Sequence, residues 1–116
     1  MEFKTNTPIY LQVIKDLKLK AVNGSLTLGQ KLPSTRELAI EYHINPNTAG
    51  RIYNKLEEEE FCHTKRGLGT YLFEESDRVE AYRNDLATEY LDTFITGMME
   101  LGYNNSELIE LITSKL

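Results

Sequence analysis

Tryptophan is absent from the 116 residues, cysteine occurs once and proline only three times. The lone Cys62 has no partner for an internal disulfide, which matches a reducing compartment. No uninterrupted apolar stretch exceeds three residues, Ile9-Tyr10-Leu11 being an example, so a membrane-spanning helix is excluded. Met1-Glu2-Phe3-Lys4 lacks the apolar core of a secretion signal, and a cytoplasmic protein is expected. Metal and thiol chemistry lack their spacings as well. Cys62, His63 and the distant His43 form no CxxC or HxxxH pair, and neighbours on a strand point to opposite faces. There is no GxxxxGK phosphate loop. A chain this short has little room for both a catalytic pocket and its scaffold, so neither an enzyme nor a cofactor is expected.

What is present fits a globular chain, with 27% charged and 41% hydrophobic residues. The net charge of −5 is unevenly spread. Residues 1–73 hold ten basic against eight acidic side chains, a net of +2, whereas residues 74–116 hold three against ten, a net of −7. The acidity belongs to the tail, and the first two-thirds can present a basic face to a polyanion.

The spacing of start and stop signals predicts five helices and a hairpin. Thr7-Pro8 opens a helix over about 8–23, with Tyr10, Val13, Leu17 and Ala21 at helical spacing and Gly24 as its stop. Ser34 and Glu37 form a capping box for a short helix over 34–42, whose stripe is Thr35, Leu38, Ala39 and Tyr42. After His43-Ile44-Asn45, Asn45 caps a third helix with Pro46 in its first position and Ala49, Ile52, Tyr53 and Leu56 on one face. Two capped helices across a three-residue turn make a helix-turn-helix. Residues 61–65 and 70–73 are β-compatible and flank Arg66-Gly67-Leu68-Gly69, so a hairpin follows and completes a winged helix. Ser76 then caps a long helix, which Gly102 stops, and Asn104-Asn105-Ser106 caps a last one. The expected fold is mainly α with a small β-hairpin: a winged helix-turn-helix over 1–75 and a two-helix dimerisation tail over 76–116.

A helix-turn-helix sets the N-terminal part of its second helix in the DNA major groove. Asn47, Thr48 and Arg51 would point outward there, with chemistry suited to base edges and phosphate, and Asn54 and Lys55 follow. Glu57-Glu58-Glu59-Glu60 stands at the far end, consistent with a helix that enters N-terminus first. Arg36 is placed to meet a phosphate, and Lys65, Arg66 and Gly67 at the wing tip to meet the minor groove or backbone.

Several spaced motifs carry a resemblance. Pro8-Ile9-Tyr10, Gly24-Ser25-Leu26-x-x-Gly29, Leu32-Pro33-Ser34-Thr35-Arg36-Glu37-Leu38-Ala39, Asn45-Pro46-Asn47-Thr48, Leu56-Glu57 and Arg66-Gly67-Leu68-Gly69-Thr70-Tyr71 occur in order. Residues 8–73 thus resemble the winged helix of the GntR family of bacterial transcription regulators. The Asn-Pro-Asn-Thr start and the short tail are similar to the YtrA subfamily. That resemblance implies a homodimeric repressor with a helical dimerisation tail, often controlling ABC-type transporter genes. It also implies DNA contacts at Arg36, Thr48 and Gly67. The chain departs from the family pattern at Pro46 and Gly50, where many members carry arginine, and at His43, where glycine is usual.

The tail stripe Val79, Tyr82, Leu86, Tyr90, Phe94 and Met98 needs cover, and Leu108, Ile109, Leu111 and Ile112 supply only part of it. Burial between two copies is expected, with Val79, Tyr82, Leu86, Tyr90, Phe94, Met98, Leu108, Leu111 and Ile112 as dimerisation residues. Two alternatives stay open: a regulator with an unidentified small effector in the helical seam, and a winged helix used for protein interaction.

Overall fold

Helix α1 (Ile9–Val22) starts one residue later than its sequence signals imply. Pro8 takes the cap position without a side-chain cap bond, so Thr7 does not cap. The start is held instead by the Gln12 amide. Its oxygen accepts from the Lys4 backbone N–H, and its nitrogen donates to the Lys4 and Thr7 carbonyls, each at 2.8 Å. The structure, a computed structural model, describes all residues from Met1 to Leu116.

Helix α2 (Thr35–Tyr42) opens on the expected capping box, with Ser34 Oγ accepting from the Glu37 backbone N–H and the Glu37 carboxylate accepting from Ser34. Those hydrogen bonds, first from backbone and then from side chain, hold the Glu37 carboxyl below its ordinary range. Thr35 is exposed rather than part of the buried stripe; it sits in the first helical position, a turn ahead of the buried Leu38 and Ala39. The helix ends with His43 in the left-handed region (φ 55°) and the Ile44 N–H donating to the Ala39 carbonyl at 2.9 Å. This is the six-to-one closure usually built on glycine.

Helix α3 (Pro46–Glu58) is capped by Asn45, whose side chain accepts from the Asn47 N–H at 2.7 Å. Its Ala49, Ile52, Tyr53 and Leu56 are buried together with Val13, Leu17, Leu38 and Ala39 of the first two helices. Each fully buried aliphatic side chain stabilises the fold by about 1.5–3 kcal/mol. Polar ties fix the helix angles: Tyr42 donates to Asp16 at 2.7 Å, Lys20 donates to Tyr42 at 3.1 Å, and the Tyr53 hydroxyl donates to the Pro33 carbonyl.

Strands β1 (Cys62–Lys65) and β2 (Gly69–Leu72) pair antiparallel, Cys62 opposite Leu72 and Lys65 opposite Gly69. Lys65 to Leu68 is a turn closed by the Leu68 N–H on the Lys65 carbonyl at 2.9 Å, with Gly67 at φ 78° in the third position that demands a residue tolerant of positive φ. The other edge of β2 is covered by residues 30–32, since Leu32 donates to Thr70 and Leu72 donates to Gln30. This third partner was invisible in the sequence.

Helix α4 (Ser76–Glu100) begins on Ser76 itself, which is helical rather than a cap. Gly102 (φ 92°) closes it, and the Tyr103 N–H donates to the Met98 carbonyl. Helix α5 (Asn105–Lys115) starts on a second capping box, made by Asn104 and Glu107. No helix is long and apolar enough to cross a membrane.

The chain forms two compact units, Met1–Tyr82 and Arg83–Leu116. The first turns of α4 belong to the first unit. Val79 is buried in its core, and the Tyr82 ring meets Phe61 edge-on at 5.5 Å. In the second unit Leu86 and Leu108 are buried, and Ile109 is exposed despite its place in the helical pattern.

Candidate nucleic-acid interface

The polar face of α3 follows from its buried one. With Ala49, Ile52, Tyr53 and Leu56 turned inward, Asn47, Arg51 and Asn54 fall on the opposite stripe and are exposed, and Thr48 is half-buried beside them. Pro46 carries no N–H and the Asn47 N–H is taken by the Asn45 side chain, so the positive end of the helix dipole, rather than a row of free donors, is what favours an anion there. Arg36 stands exposed in the first turn of α2, and Lys65, Arg66 and Gly67 are exposed at the wing tip. All seven residues expected at the interface therefore lie on the first unit and are open or half-open to solvent.

Gly50 lies beside this stripe. A methyl group added there would meet no atom within 4 Å, so no neighbouring helix requires glycine.

The wing carries its own order. His63 stacks on Tyr71 at 6.2 Å, and the Lys65 ammonium lies 4.5 Å from the Tyr71 ring centre. Beside them the Lys31 side chain crosses Gly69 so closely that a Cβ there would stand 2.7 Å from Lys31 Cε. Lys31, from a segment outside both strands, thus adds a cation beside the tip-side end of the hairpin.

The four glutamates at the far end of α3 are tethers. Glu57 accepts from the Thr64 N–H at 3.0 Å, fixing the hairpin to the helix. Glu58 pairs with Lys55 at 3.7 Å, Glu59 with Lys18, and Glu60 with Arg78. The Lys18 ammonium also lies over Phe61 and Tyr82, 4.8 and 5.0 Å from the ring centres. Three of the four glutamate charges are thereby held in local ion pairs at the end of α3 farthest from Asn47.

One residue of the site carried no signal at the level of sequence. Tyr10, read there as a member of the α1 core stripe, is only half-buried, and the Arg51 guanidinium carbon sits 3.8 Å from its ring centre. Cys62, by contrast, is inert: burial first, and the nearby Glu57 charge second, push its thiol up to about 12.

The tail residues lie elsewhere. Val79 and Tyr82 are taken up by the first unit, and Leu86 and Leu108 are buried. Tyr90 (52% exposed), Phe94 and Ile112 face solvent, while Met98 and Leu111 are half-buried.

The sequence pattern described as "Bacterial regulatory proteins, gntR family" matches residues 9–72, more than half of the chain. The chain belongs to the GntR family. Its relatives include the HTH-type transcriptional regulator YhcF of Bacillus subtilis (strain 168), 38% identical across 94% of this chain and 90% of YhcF. The HTH-type transcriptional repressor YtrA of the same organism is 45% identical over 61% of this chain and 55% of its own length. Among solved structures, a GntR family transcriptional regulator from Listeria monocytogenes superimposes with a TM-score of 0.88 at 38% identity, covering 97% of this chain and 98% of that one. These relatives are transcription regulators rather than enzymes, and this GntR member is a DNA-binding transcription regulator with a winged helix-turn-helix.

Proposed function

We propose that this regulator is a repressor that binds a dyad-symmetric operator as a homodimer, with α3 in the major groove. The observation that carries the reading is the division of α3 into two ends. Its capped N-terminal turns expose Asn47 and Arg51 with the half-buried Thr48 beside them, whereas its C-terminal carboxylates are each tied to a basic or backbone partner. In such a pose Arg36 and the wing cations Lys65 and Arg66 contact phosphate and set register. Asn47, Thr48 and Arg51 read base edges. The repressor sense rests on the likeness to YtrA, a repressor by name; transporter genes as a target class rest on the subfamily resemblance of the sequence alone.

The homodimer is supported by the second unit. Tyr90, Leu91, Phe94, Ile95 and Met99 of α4 and Ile109 of α5 are all large apolar side chains left exposed. Contiguous apolar surface of this kind marks an interface. A hollow of about 350 Å³ on the same unit, lined by Phe94, Met98, Leu111, Ile112, Lys115 and Leu116, is almost wholly apolar and suits the side chains of a second copy. Two copies would double the contact set over half-sites about 34–36 Å apart, or multiples of that.

The test is selection of duplexes from a randomised library by the full-length protein, followed by fluorescence anisotropy at two salt concentrations. Enrichment of two inverted half-sites, with affinity falling steeply as salt rises, is expected. Enrichment of no sequence, or of a single half-site without symmetry, would overturn the reading.

A further inference from the structure

Arg51 leaves α3 on the solvent side, yet its guanidinium is not adrift. Its carbon stands 3.8 Å from the centre of the Tyr10 ring, the separation of a guanidinium stacked over an aromatic face. Helical side chains lean toward the N-terminus of their helix, which sends Arg51 toward the turn that carries Asn47. The ring beneath it is itself anchored. Tyr10 packs against the core of the first unit, and the start of its helix is clamped by the three Gln12 hydrogen bonds to Lys4 and Thr7. A guanidinium stacked by one face keeps its N–H edge open, the edge that forks onto guanine.

We propose that Tyr10 is a positioning residue for DNA recognition, holding the Arg51 guanidinium in a single orientation at the groove-facing end of α3. The inference rests on the operator-binding reading of α3 given above. A free arginine must lose most of its rotamer freedom when it meets a base, and that ordering weakens binding. Here α1 has ordered it beforehand. The gain concentrates on the correct sequence, because only there does the fixed edge find its acceptors; phosphate contacts elsewhere on the protein are unaffected.

The test uses the full chain with the duplex most enriched by the parent protein and a scrambled duplex of the same composition. Tyr10→Leu should lower the ratio of the two affinities by about two- to fivefold, the range of an exposed cation–π contact. Tyr10→Phe, which keeps the ring, should restore the parent ratio. In an Arg51→Ala background Tyr10→Leu should change the ratio no further, which a general loosening of the fold would not reproduce. A parent ratio in Tyr10→Leu, an additive loss in the double variant, or failure of the phenylalanine variant to restore it overturns the positioning role. Should Tyr10→Leu not fold, the side-chain proton signals of Arg51 in the parent decide. Ring-current displacement is expected, and signals at the positions of a solvated arginine overturn the proposal. A parent that enriches no sequence refutes operator binding itself, a separate outcome from the failure of Tyr10 alone.

Discussion

Gly50 offers a perturbation whose effects on stability and on binding should run in opposite directions. It sits inside α3 in helical conformation, where glycine is less favourable than alanine by about 0.8–1.0 kcal/mol. The usual reason to keep glycine in a helix is a close neighbour, and here a Cβ would meet nothing within 4 Å. Gly50→Ala should therefore recover that propensity without a clash, raising the thermal midpoint by about 4–8 °C for a domain of this size. The methyl group would, however, project between Asn47 and Asn54, on the face assigned to the groove. If DNA comes within van der Waals reach there, the more stable variant should bind its operator about tenfold more weakly, equivalent to about 1.4 kcal/mol. Thermal unfolding by circular dichroism and anisotropy on the enriched duplex read the two effects separately. A variant that is more stable and binds as well as the parent would refute the close approach. One that is less stable would refute the packing argument.

Three further outcomes are expected. Arg36→Ala should weaken binding to every duplex alike and flatten the dependence of log affinity on log salt by about one unit, measured by anisotropy across a salt series. Phe94→Asp should leave the winged helix folded but shift the chain to a monomer in sedimentation, because the charge would be buried on the exposed apolar face of α4; a persistent dimer would assign the interface elsewhere. Stability should decline in alkali. Burial, as the leading cause, raises the Cys62 thiol from 9.0 to about 12 and also raises the Tyr42 and Tyr53 hydroxyls above their ordinary 10.0. The folded chain holds these protons more tightly than the unfolded one, so their contribution is intact below about pH 9 and is lost as the pH rises toward the folded-state values. The urea midpoint should fall between about pH 8 and about pH 11, and fall less in Tyr42→Phe.

The parts of the fold that were legible in the sequence are those whose physics is local. Ser34 with Glu37, Asn45 with Pro46, and Gly67 in its turn each act within three residues of themselves, so the helix-turn-helix and the wing could be read directly. What escaped depends on distant partners. Residues 30–32 join β2 through backbone bonds that leave no alternation pattern, and Tyr10 looked like a core residue because helical spacing cannot distinguish a buried ring from one that supports an arginine. The position of the glutamate run was legible but its partners were not: Lys18, Lys55, Arg78 and the Thr64 N–H each engage one member of it. Val79 and Tyr82 belong to the stripe of α4 by periodicity but to the first unit by packing, since Phe61 lies against Tyr82. In the candidate site the outward residues of α3 followed from the inward ones, while the order imposed on Arg51 and Lys65 by aromatic rings did not.

The claim that the N-terminal face of α3 reads DNA sequence is tested most directly by repeating the library selection with Asn47→Ala beside the parent. The variant should still enrich the same inverted half-sites but lose its preference at one base position in each, as expected when a single amide contact to a base edge is removed. An unchanged preference at every position would place Asn47 outside the groove and contradict the assignment of α3 as the recognition helix.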